Sequence, residues 1–235
     1  MTNLKEKYIA TLIGCGIGDT LGMPVEMWKK EQIAKYVGKV TDIIAPFFVK
    51  DANGEVVKED EFGRLRYWGK DLSKGDYTDD TILTLAVAES IAEKKSLNLG
   101  DICRRQVEVY ESLRKPDGKI RGGFGKTTKD AFEKIKLGIS PLESGISPGP
   151  GTGPCMKIAP VGLYMHATGK YKEGIEIARL ISRATHLDER SIASGVVQAH
   201  AVYCLLNEPT KKEFLDSITE ICTKNERQQE YDALP

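Results

Sequence analysis

The amino-acid sequence predicts an all-α protein, because apolar residues recur with the period of a helix along most of the chain. Eight stretches have this period: residues 4–22, 79–94, 101–114, 127–137, 155–167, 172–184, 189–206 and 211–222. Glycine or proline stands near many of their ends, as at Gly38, Gly100, Gly138, Gly169 and Pro209. Sequence signals for strands are few. A chain of 235 residues can bury a substantial core, so we expect a single compact all-helical domain over residues 1–235.

The first predicted helix carries glycine at every fourth position, at Gly14, Gly18 and Gly22. These glycines share one helix face, although each costs roughly 1 kcal/mol relative to alanine inside a helix. We interpret them as a sign of close packing by a neighbouring backbone, or of a bound group. Asp19 interrupts the apolar surroundings, and Pro24 ends the helix just before Glu26. The alternative is a buried helix in which local hydrogen bonds satisfy Asp19.

Residues 40–77 lack a clear period and mix aromatic, acidic and small residues. The pair Asn53-Gly54 lies between short apolar runs and could close a small β-hairpin. The composition of the whole stretch favours an irregular loop instead.

Two adjacent carboxylates flanked by hydroxyls, Thr78-Asp79-Asp80-Thr81, stand just before an apolar helical run. Carboxylates this close raise one another's pKa unless a cation or a hydrogen-bond donor neutralises them. A hard divalent cation takes oxygen ligands of this kind. Helix capping is the alternative, with Thr78 or Asp79 as N-cap and Asp80 favoured in the first turn. The second acidic cluster, at Asp19 and Glu26, favours the metal site.

The stretch from Gly138 to Gly153 holds five glycines and three prolines, which predicts a loop. It runs directly into the helix predicted over 155–167. Backbone N–H groups at a helix N-terminus next to a glycine-rich loop make a site for phosphate. Composition alone favours a plain mobile surface loop.

Composition excludes several classes of function. Lys plus Arg equals Asp plus Glu, at 34 each, so no net field attracts nucleic acid or an anionic membrane. The five cysteines are widely spaced with no C-x-x-C, which favours buried thiols in a reducing compartment over disulfides or a zinc site. No charged-then-apolar leader opens the chain, and we find no apolar run of membrane-spanning length. We therefore expect a soluble, cytoplasmic protein.

The three histidines are His166, His186 and His200. A lone histidine on a helix is more often structural than catalytic, and we assign His166 and His200 to that class. His186 differs because it follows Thr185 and precedes Asp188 at a helix break. No Cys/His or Ser/His pairing indicates a nucleophilic triad.

Four segments together resemble the ADP-ribosylglycohydrolase family. The run 18–26 (Gly-Asp-Thr-Leu-Gly-Met-Pro-Val-Glu) resembles its opening helix motif, and 76–81 (Asp-Tyr-Thr-Asp-Asp-Thr) resembles its first metal motif. The run 149–163 is similar to its glycine-rich loop and following helix, with Thr152 where the family often has Asn. Residues 184–188 (Ala-Thr-His-Leu-Asp) match its Thr-His-x-Asp element. The segment 122–128, which also superficially resembles a P-loop, is similar to a family segment near the site.

The resemblance implies an orthogonal helical bundle and a metal-dependent hydrolase that cleaves the glycosidic bond of an ADP-ribosyl group. It implies Mg²⁺ or Mn²⁺, in a binuclear centre, held here by Thr78, Asp79, Asp80 and Glu26. Glu26 and Asp80 are the implied catalytic residues. The implied substrate-binding residues are Asp19, Gly123, Gly149, Gly151, Thr152, Gly153, Met156 and His186. The expected partner is an ADP-ribosylated protein or a small ADP-ribosyl compound.

The family's late Asp-x-Asp-Thr element, which supplies the remaining metal ligands, does not occur after Asp188. We therefore expect half of the metal centre to be lacking, with impaired activity, whether the chain is a fragment or a natural short form. A non-catalytic ADP-ribose-binding or crystallin-like member of the family is the alternative. A metal-dependent phosphohydrolase is a third hypothesis.

Overall fold

The structure, a computed structural model, describes residues 3–67 and 71–232, with side chains up to residue 225. Its helices are α1 (Leu4–Gly22), α2 (Lys30–Tyr36), α3 (Asp79–Lys94), α4 (Leu99–Ser112), α5 (Lys126–Lys136), α6 (Gly153–Lys157), α7 (Ala159–Thr168), α8 (Tyr171–Arg183), α9 (Glu189–Leu205) and α10 (Lys211–Asp232). A short 3₁₀ turn, Met23–Val25, follows α1. Two strands of two residues each, β1 (Glu59–Asp60) and β2 (Gly63–Arg64), pair in antiparallel fashion. The expected all-α class is confirmed.

The main core lies between α3, α4 and the C-terminal helices. Helix α9 packs against α6, α7, α8 and α10, while α3 packs against α1, α4, α6 and α7. The buried side chains at the centre include Val87, Ile158, Val161, Ile181 and Val196. Because α3 and α6 meet at this core, the N-terminal end of α3 is brought next to the N-terminal end of α6.

The helix predicted over 155–167 is two helices, α6 and α7, separated at Ile158. Pro160 lies in the first turn of α7. Proline lacks an N–H and its ring clashes with the carbonyl four residues earlier, so a helix ends before it more readily than it continues through it. The separation leaves Lys157 at the C-terminal end of a five-residue helix.

Residues 40–67 contain more β structure than the sequence predicts. Asn53-Gly54 closes a small hairpin, in which Val57 N–H donates to Val49 O at 2.9 Å and Asp51 N–H donates to Glu55 O at 2.9 Å. Gly54 has the positive φ, 81°, that such a turn requires. The favoured prediction of an irregular loop was therefore wrong at this turn. Helix α2, which the periodicity did not predict, has only seven residues and too few apolar positions to show a period.

Helix α1 differs from its prediction in two respects. An added Cβ at Gly14, Gly18 or Gly22 would meet nothing within 4 Å, so the first alternative for these glycines, close backbone packing, was wrong. Gly18 and Gly22 line the cleft described below, which leaves the second alternative, a bound group. The segment Leu4–Val25 is also long and apolar enough to span a membrane by length and composition, which the sequence reading had excluded. Helices of soluble proteins can have the same length and composition. Asp19 on this helix bonds to α3, as described below.

Candidate active site

The residues that the sequence singled out meet in one cleft of about 480 Å³. Its walls are the C-terminal end of α1, the N-terminal end of α3, the start of α5 and the glycine-rich loop that leads into α6. Of the predicted site residues, these line it: Asp19, Glu26, Thr78, Asp79, Asp80, Gly123, Gly151, Thr152, Gly153, Met156 and His186. Gly149 does not. Two further cavities, of about 340 and 530 Å³, lie beside Leu85 and Tyr67, and neither gathers a comparable set of carboxylates.

Asp19 connects α1 to the start of α3. Its Oδ2 accepts hydrogen bonds from Thr78 N at 2.8 Å, Thr81 N at 3.2 Å and Thr81 Oγ1 at 2.6 Å. Its Oδ1 accepts from Thr78 Oγ1 at 2.8 Å. With both oxygens engaged by four donors, Asp19 acts on the cleft chiefly by fixing Thr78 and the first turn of α3. These partners lie about 60 positions away in sequence, so the local hydrogen bonds considered for Asp19 do not occur.

Thr78 is both the N-cap of α3 and an oxygen donor toward the cleft. Its Oγ1 accepts from Asp80 N at 3.3 Å, as an N-cap does. Because its hydroxyl proton goes to Asp19, a remaining lone pair of Oγ1 is available to a cation. The capping alternative and the metal-ligand hypothesis are therefore compatible at this residue.

Three carboxylates in the cleft have raised pKa values. Asp79 is 7% exposed, and burial, followed by the charge of Asp80, raises its pKa to about 8. Burial, followed by the charges of Asp19 and Glu26, raises the pKa of Asp80 to about 6. The pKa of Glu26 is also raised, by burial and by Asp19, although its side chain is exposed at the rim. Uncompensated negative charge in one place favours a bound cation.

The donor atoms fit an oxygen-preferring metal ion in kind. Thr78, Asp79 and Asp80 offer hard oxygen ligands, and the cleft has no cysteine or second histidine in its lining. The number of ligands is small. Among the described residues, no three His, Cys, Asp or Glu side chains are grouped closely enough to hold a metal ion. The carboxylates of this cleft, by themselves, could therefore supply only part of the ligands of a metal ion.

The glycine-rich loop presents backbone amides to the cleft. Gly151 N–H donates to Ser191 Oγ at 2.9 Å, so this amide is already used. The amides of Thr152 and Gly153 have no acceptor within the described chain. Gly149 lies behind this wall. Its φ is 40°, and a Cβ there would lie 2.2 Å from Ile146 O, so it serves the turn of the loop.

His186 forms the wall of the cleft behind this loop. The side chain is 3% exposed, and its Nδ1 lies 2.8 Å from Thr185 Oγ1. A Cβ at Gly153 would lie 2.5 Å from His186 Cε1, so the imidazole packs directly against the loop. Burial, assisted by the charge of Lys157, lowers the pKa of His186 to about 4. The ring is therefore neutral at physiological pH.

Several residues of the site were not predicted individually. Lys126, Thr127 and Thr128, at the start of α5, line the cleft beside Gly123. The paired glycines 122 and 123, both with positive φ, turn the chain so that this end of α5 faces the carboxylates. The run 122–128 (Gly-Gly-Phe-Gly-Lys-Thr-Thr) could have indicated this part of the site, because its glycines predict a turn just before the start of a helix. Nothing in the sequence pointed to Ser191 or Lys157.

Comparison with known proteins gives the family. The family model described as ADP-ribosylglycohydrolase matches residues 1–234. The chain belongs to the ADP-ribosylglycohydrolase family. A solved structure titled "ADP-ribosylglycohydrolase-related protein complex" has the same fold, with a TM-score of 0.62 at 22% identity, covering 92% of this chain and 62% of that chain.

Curated proteins from three organisms match this chain with identities between 26% and 31%. An uncharacterized protein of Archaeoglobus fulgidus is 26% identical over 92% of this chain and 61% of its own length. ADP-ribosylhydrolase ARH3 of Xenopus tropicalis is 29% identical over 63% of this chain and 44% of its own. The ADP-ribosyl-[dinitrogen reductase] glycohydrolase of Rhodospirillum rubrum is 31% identical over 43% of this chain and 27% of its own. The chain thus spans about three-fifths of the length of the Archaeoglobus fulgidus relative and less than half of the length of the other two.

Proposed function

We propose that this chain binds an ADP-ribosyl group, on a protein or a small molecule, and hydrolyses its glycosidic bond with a divalent cation. The observation that carries the proposal is that Thr78, Asp79 and Asp80 share one cleft with Thr152 and Gly153. A ligand with a diphosphate at one end and a ribose diol at the other matches the two sides of this cleft. The family relationship supports the same class of substrate.

The chain's own groups hold the two parts of such a ligand. The Thr152 and Gly153 amides, without acceptors in the described chain, would donate to phosphate oxygens. Thr78, Asp79 and Asp80 would hold Mg²⁺ or Mn²⁺. Such an ion supplies orientation of the ribose hydroxyls and polarisation of a water. Two further side chains line the same cleft, the apolar Met156 and the polar ring of His186.

The hydrolytic step needs a base and stabilisation of positive charge. Glu26, at the rim, accepts a proton from the water that attacks the anomeric carbon, and its raised pKa suits this task. The water oxygen bonds to the anomeric carbon as the bond to the leaving group breaks. The leaving group takes up a proton from solvent, and Glu26 releases to solvent the proton that it took from the water. The carboxylate of Asp80 stabilises the oxocarbenium-like transition state.

The test is product analysis with the full chain. Arginine-linked and serine-linked ADP-ribosyl peptides and a small ADP-ribosyl compound are incubated with the protein and Mg²⁺ or Mn²⁺, and free ADP-ribose is measured by chromatography. We expect release of ADP-ribose from at least one substrate, reduced about 100-fold or more by Asp80→Asn. Asp216→Asn, on the exposed surface of α10, is the matched control. Release of AMP or phosphate would instead identify a phosphohydrolase.

A second candidate is an ADP-ribose-binding protein without turnover. The small number of acidic ligands in the cleft favours it. We expect isothermal titration with Mn²⁺ to show weak binding, to at most one site, which the double change of Asp79→Asn and Asp80→Asn abolishes. Tight binding at two sites would contradict an incomplete centre. ADP-ribose binding with no release of product from any substrate would select this second candidate.

We also propose a cytoplasmic location. All five cysteines are free thiols in the structure, which suits a reducing compartment. Fractionation of cells that express the native protein would check it.

A further inference from the structure

Lys157 is a charged side chain in the middle of the protein. It is fully buried, at 0% exposed, and belongs to α6, the helix that follows the glycine-rich loop. A buried ammonium is costly unless hydrogen-bonded or paired. No carboxylate lies within ion-pair distance of it in the described part of the chain. Its Nζ donates to Thr185 Oγ1 at 3.2 Å and to Gln106 Oε1 at 3.5 Å, and lies 6.0 Å from the centre of the Phe132 ring.

The orientation of Gln106 reflects this cation. Its amide oxygen faces the Lys157 ammonium, whereas its Nε2 is buried with no hydrogen-bond partner. An unsatisfied buried N–H group costs free energy. This orientation is explained if the hydrogen bond from the buried ammonium to Gln106 Oε1 stabilises the protein by more than the unpaired Gln106 Nε2 destabilises it.

The hydroxyl of Thr185 connects Lys157 to His186. An ammonium group only donates, so Thr185 Oγ1 accepts from Lys157 and has a single proton of its own to give. The His186 Nδ1 lies at 2.8 Å, whereas the other acceptor, Ser182 O, lies at 3.4 Å. Ser182 O already accepts from two backbone N–H groups. The hydroxyl proton therefore goes to His186 Nδ1.

We propose that Lys157 is a positioning residue that, through Thr185, fixes His186 with Nδ1 as acceptor and its proton on Nε2. Nε2 has no partner among the described residues, and it lies beside the glycine-rich loop, 3.3 Å from where a Cβ of Gly151 would be. His186 thus offers a neutral N–H donor to the cleft, and it selects an acceptor oxygen in the ligand at that place. The identity of that oxygen, on the phosphate or ribose of an ADP-ribosyl group, rests on the proposed function.

The charge of Lys157 supports this arrangement in a second way. A nearby cation disfavours an imidazolium, and Lys157 is a cause of the lowered pKa of His186, after burial. The pKa of Lys157 itself is lowered to about 8 by burial, so it remains largely protonated at neutral pH. A protonated His186 would donate from both nitrogens and could not accept from Thr185.

The test reads the tautomer of His186 directly. Long-range ¹H–¹⁵N spectra of the ¹⁵N-labelled full chain contain only three histidines, and loss of one set of signals in His186→Gln assigns the residue. At pH 7 we expect His186 to carry its proton on Nε2. Lys157→Met and Thr185→Val should each shift it toward a mixture or toward Nδ1–H. Thr185→Ser and Lys157→Arg, which keep the donor chain, should retain the Nε2–H form.

A purely structural role for Lys157 predicts a different result. Lys157→Met would then change thermal stability and leave the His186 tautomer as it is. Lys136→Met, on the surface of α5, controls for the loss of a lysine. If wild-type His186 carries its proton on Nδ1, or if a folded Lys157→Met leaves the tautomer unchanged, the proposal is wrong. If Lys157→Met does not fold, the Thr185→Val and Thr185→Ser pair decides.

Ligand binding separates this inference from the proposed function. By isothermal titration with ADP-ribose as the probe, we expect Lys157→Met to weaken binding about 10-fold or more, the loss of one directed hydrogen bond. Unchanged affinity together with a changed tautomer would overturn the role of His186 as donor to the ligand. No binding by the wild type, with the expected tautomer in the free protein, would refute the proposed function and leave the positioning of His186 by Lys157 supported.

Discussion

Asp79 illustrates how a single buried carboxyl group can make the stability of a protein depend on pH. The ordinary pKa of the group is 3.8, and in the folded chain burial raises it to about 8. The folded state therefore binds more protons than the unfolded state between these values. In this window the free energy of unfolding of the metal-free protein falls as pH rises, because stability changes with the difference in bound protons.

We therefore expect Asp79→Asn to stabilise the metal-free protein increasingly as pH is raised from 4 to 8. The gain should be close to zero near pH 4 and at least about 1 kcal/mol near pH 8, or about 2–4 °C in Tm for a chain of this size. Scanning calorimetry in a chelating buffer measures it. Asp216→Asn, at the exposed surface of α10, controls for the loss of a carboxyl group. An effect of Asp79→Asn that stays constant from pH 4 to pH 8 would show that Asp79 ionises normally.

Asp19 shows how a helix pair is joined by one side chain at the edge of a functional cleft. Hydrogen bonds to a charged acceptor contribute about 1.5–3 kcal/mol each in favourable cases, and Asp19 accepts four from α3. We expect Asp19→Asn to lower the free energy of unfolding by about 2–4 kcal/mol, since an amide nitrogen would face donors. Chemical denaturation measures the loss. Thr81→Val removes only one of these four donors and should therefore lower the free energy of unfolding by less. Equal losses in the two variants would contradict the view that Asp19 holds the start of α3 through all four hydrogen bonds.

The loop between α5 and α6 packs two glycines, Gly151 and Gly153, against His186 at the proposed ligand site. A side chain at Gly151 would point toward His186 Nε2, with the Cβ 3.3 Å away, into the space where the ligand is proposed to lie. We expect Gly151→Val to weaken ADP-ribose binding at least about 10-fold by steric block. It should also lower Tm, because Gly151 has a φ of 158° that a β-branched residue adopts only under strain. Titration calorimetry and thermal melting measure the two effects. At Gly153 a Cβ would lie 2.5 Å from His186 Cε1, so Gly153→Ala should lower Tm as well. Equal affinity of Gly151→Val and wild type would place the ligand elsewhere.

How far the sequence predicts the structure differs from element to element. The bounds of α1 and α3 follow from their apolar period and from the Thr78 cap, both of which are local. Helix α2 was missed, because its buried Gln32 is held by Asp60 and Gly63, partners that only the fold brings close. Pro160 was a signal for the break between α6 and α7 at Ile158. The apolar residues on both sides of it nevertheless led to the prediction of one continuous helix. The period of apolar residues reflects only local preference for a helix. It carries no information about hydrogen bonds between residues that are far apart in sequence.

The cleft as a whole was predictable only because the family motifs linked its distant parts. Spacing alone does not bring Asp79 and Gly151 together, since 71 residues separate them, and the contact of α3 with α6 does so in the structure. Packing decided two of the assignments made from the sequence. Asp19 proved to be a partner of α3, and Gly149 proved to serve the loop rather than the lining. The buried cation at Lys157 had no sequence signal, because a lysine after Met156 looks like any surface lysine.

The surface of the protein carries an apolar stripe on α1. Ile9, Ile13 and Ile17 repeat at every fourth position and are 46%, 55% and 48% exposed. A row of large aliphatic side chains on one exposed helix face is a candidate surface for association with another molecule. We expect the protein to self-associate through this stripe at concentrations of order micromolar or higher. Light scattering coupled to size-exclusion chromatography should show a concentration-dependent mass.

Ile13→Lys, at the centre of the stripe, should return the chain to a monomer without lowering Tm, because the side chain contributes little to the core. Leu142→Lys, at an exposed leucine far from α1 in sequence, is the matched control and should leave the association unchanged. A charged residue at the stripe opposes burial of the neighbouring isoleucines, since an unpaired buried ammonium is costly. A monomer at every concentration, with no binding of an apolar dye, would mean that the stripe is no association surface. If Ile13→Lys and Leu142→Lys both abolish association, the added charge acts through general solubility, and the stripe is not the association surface.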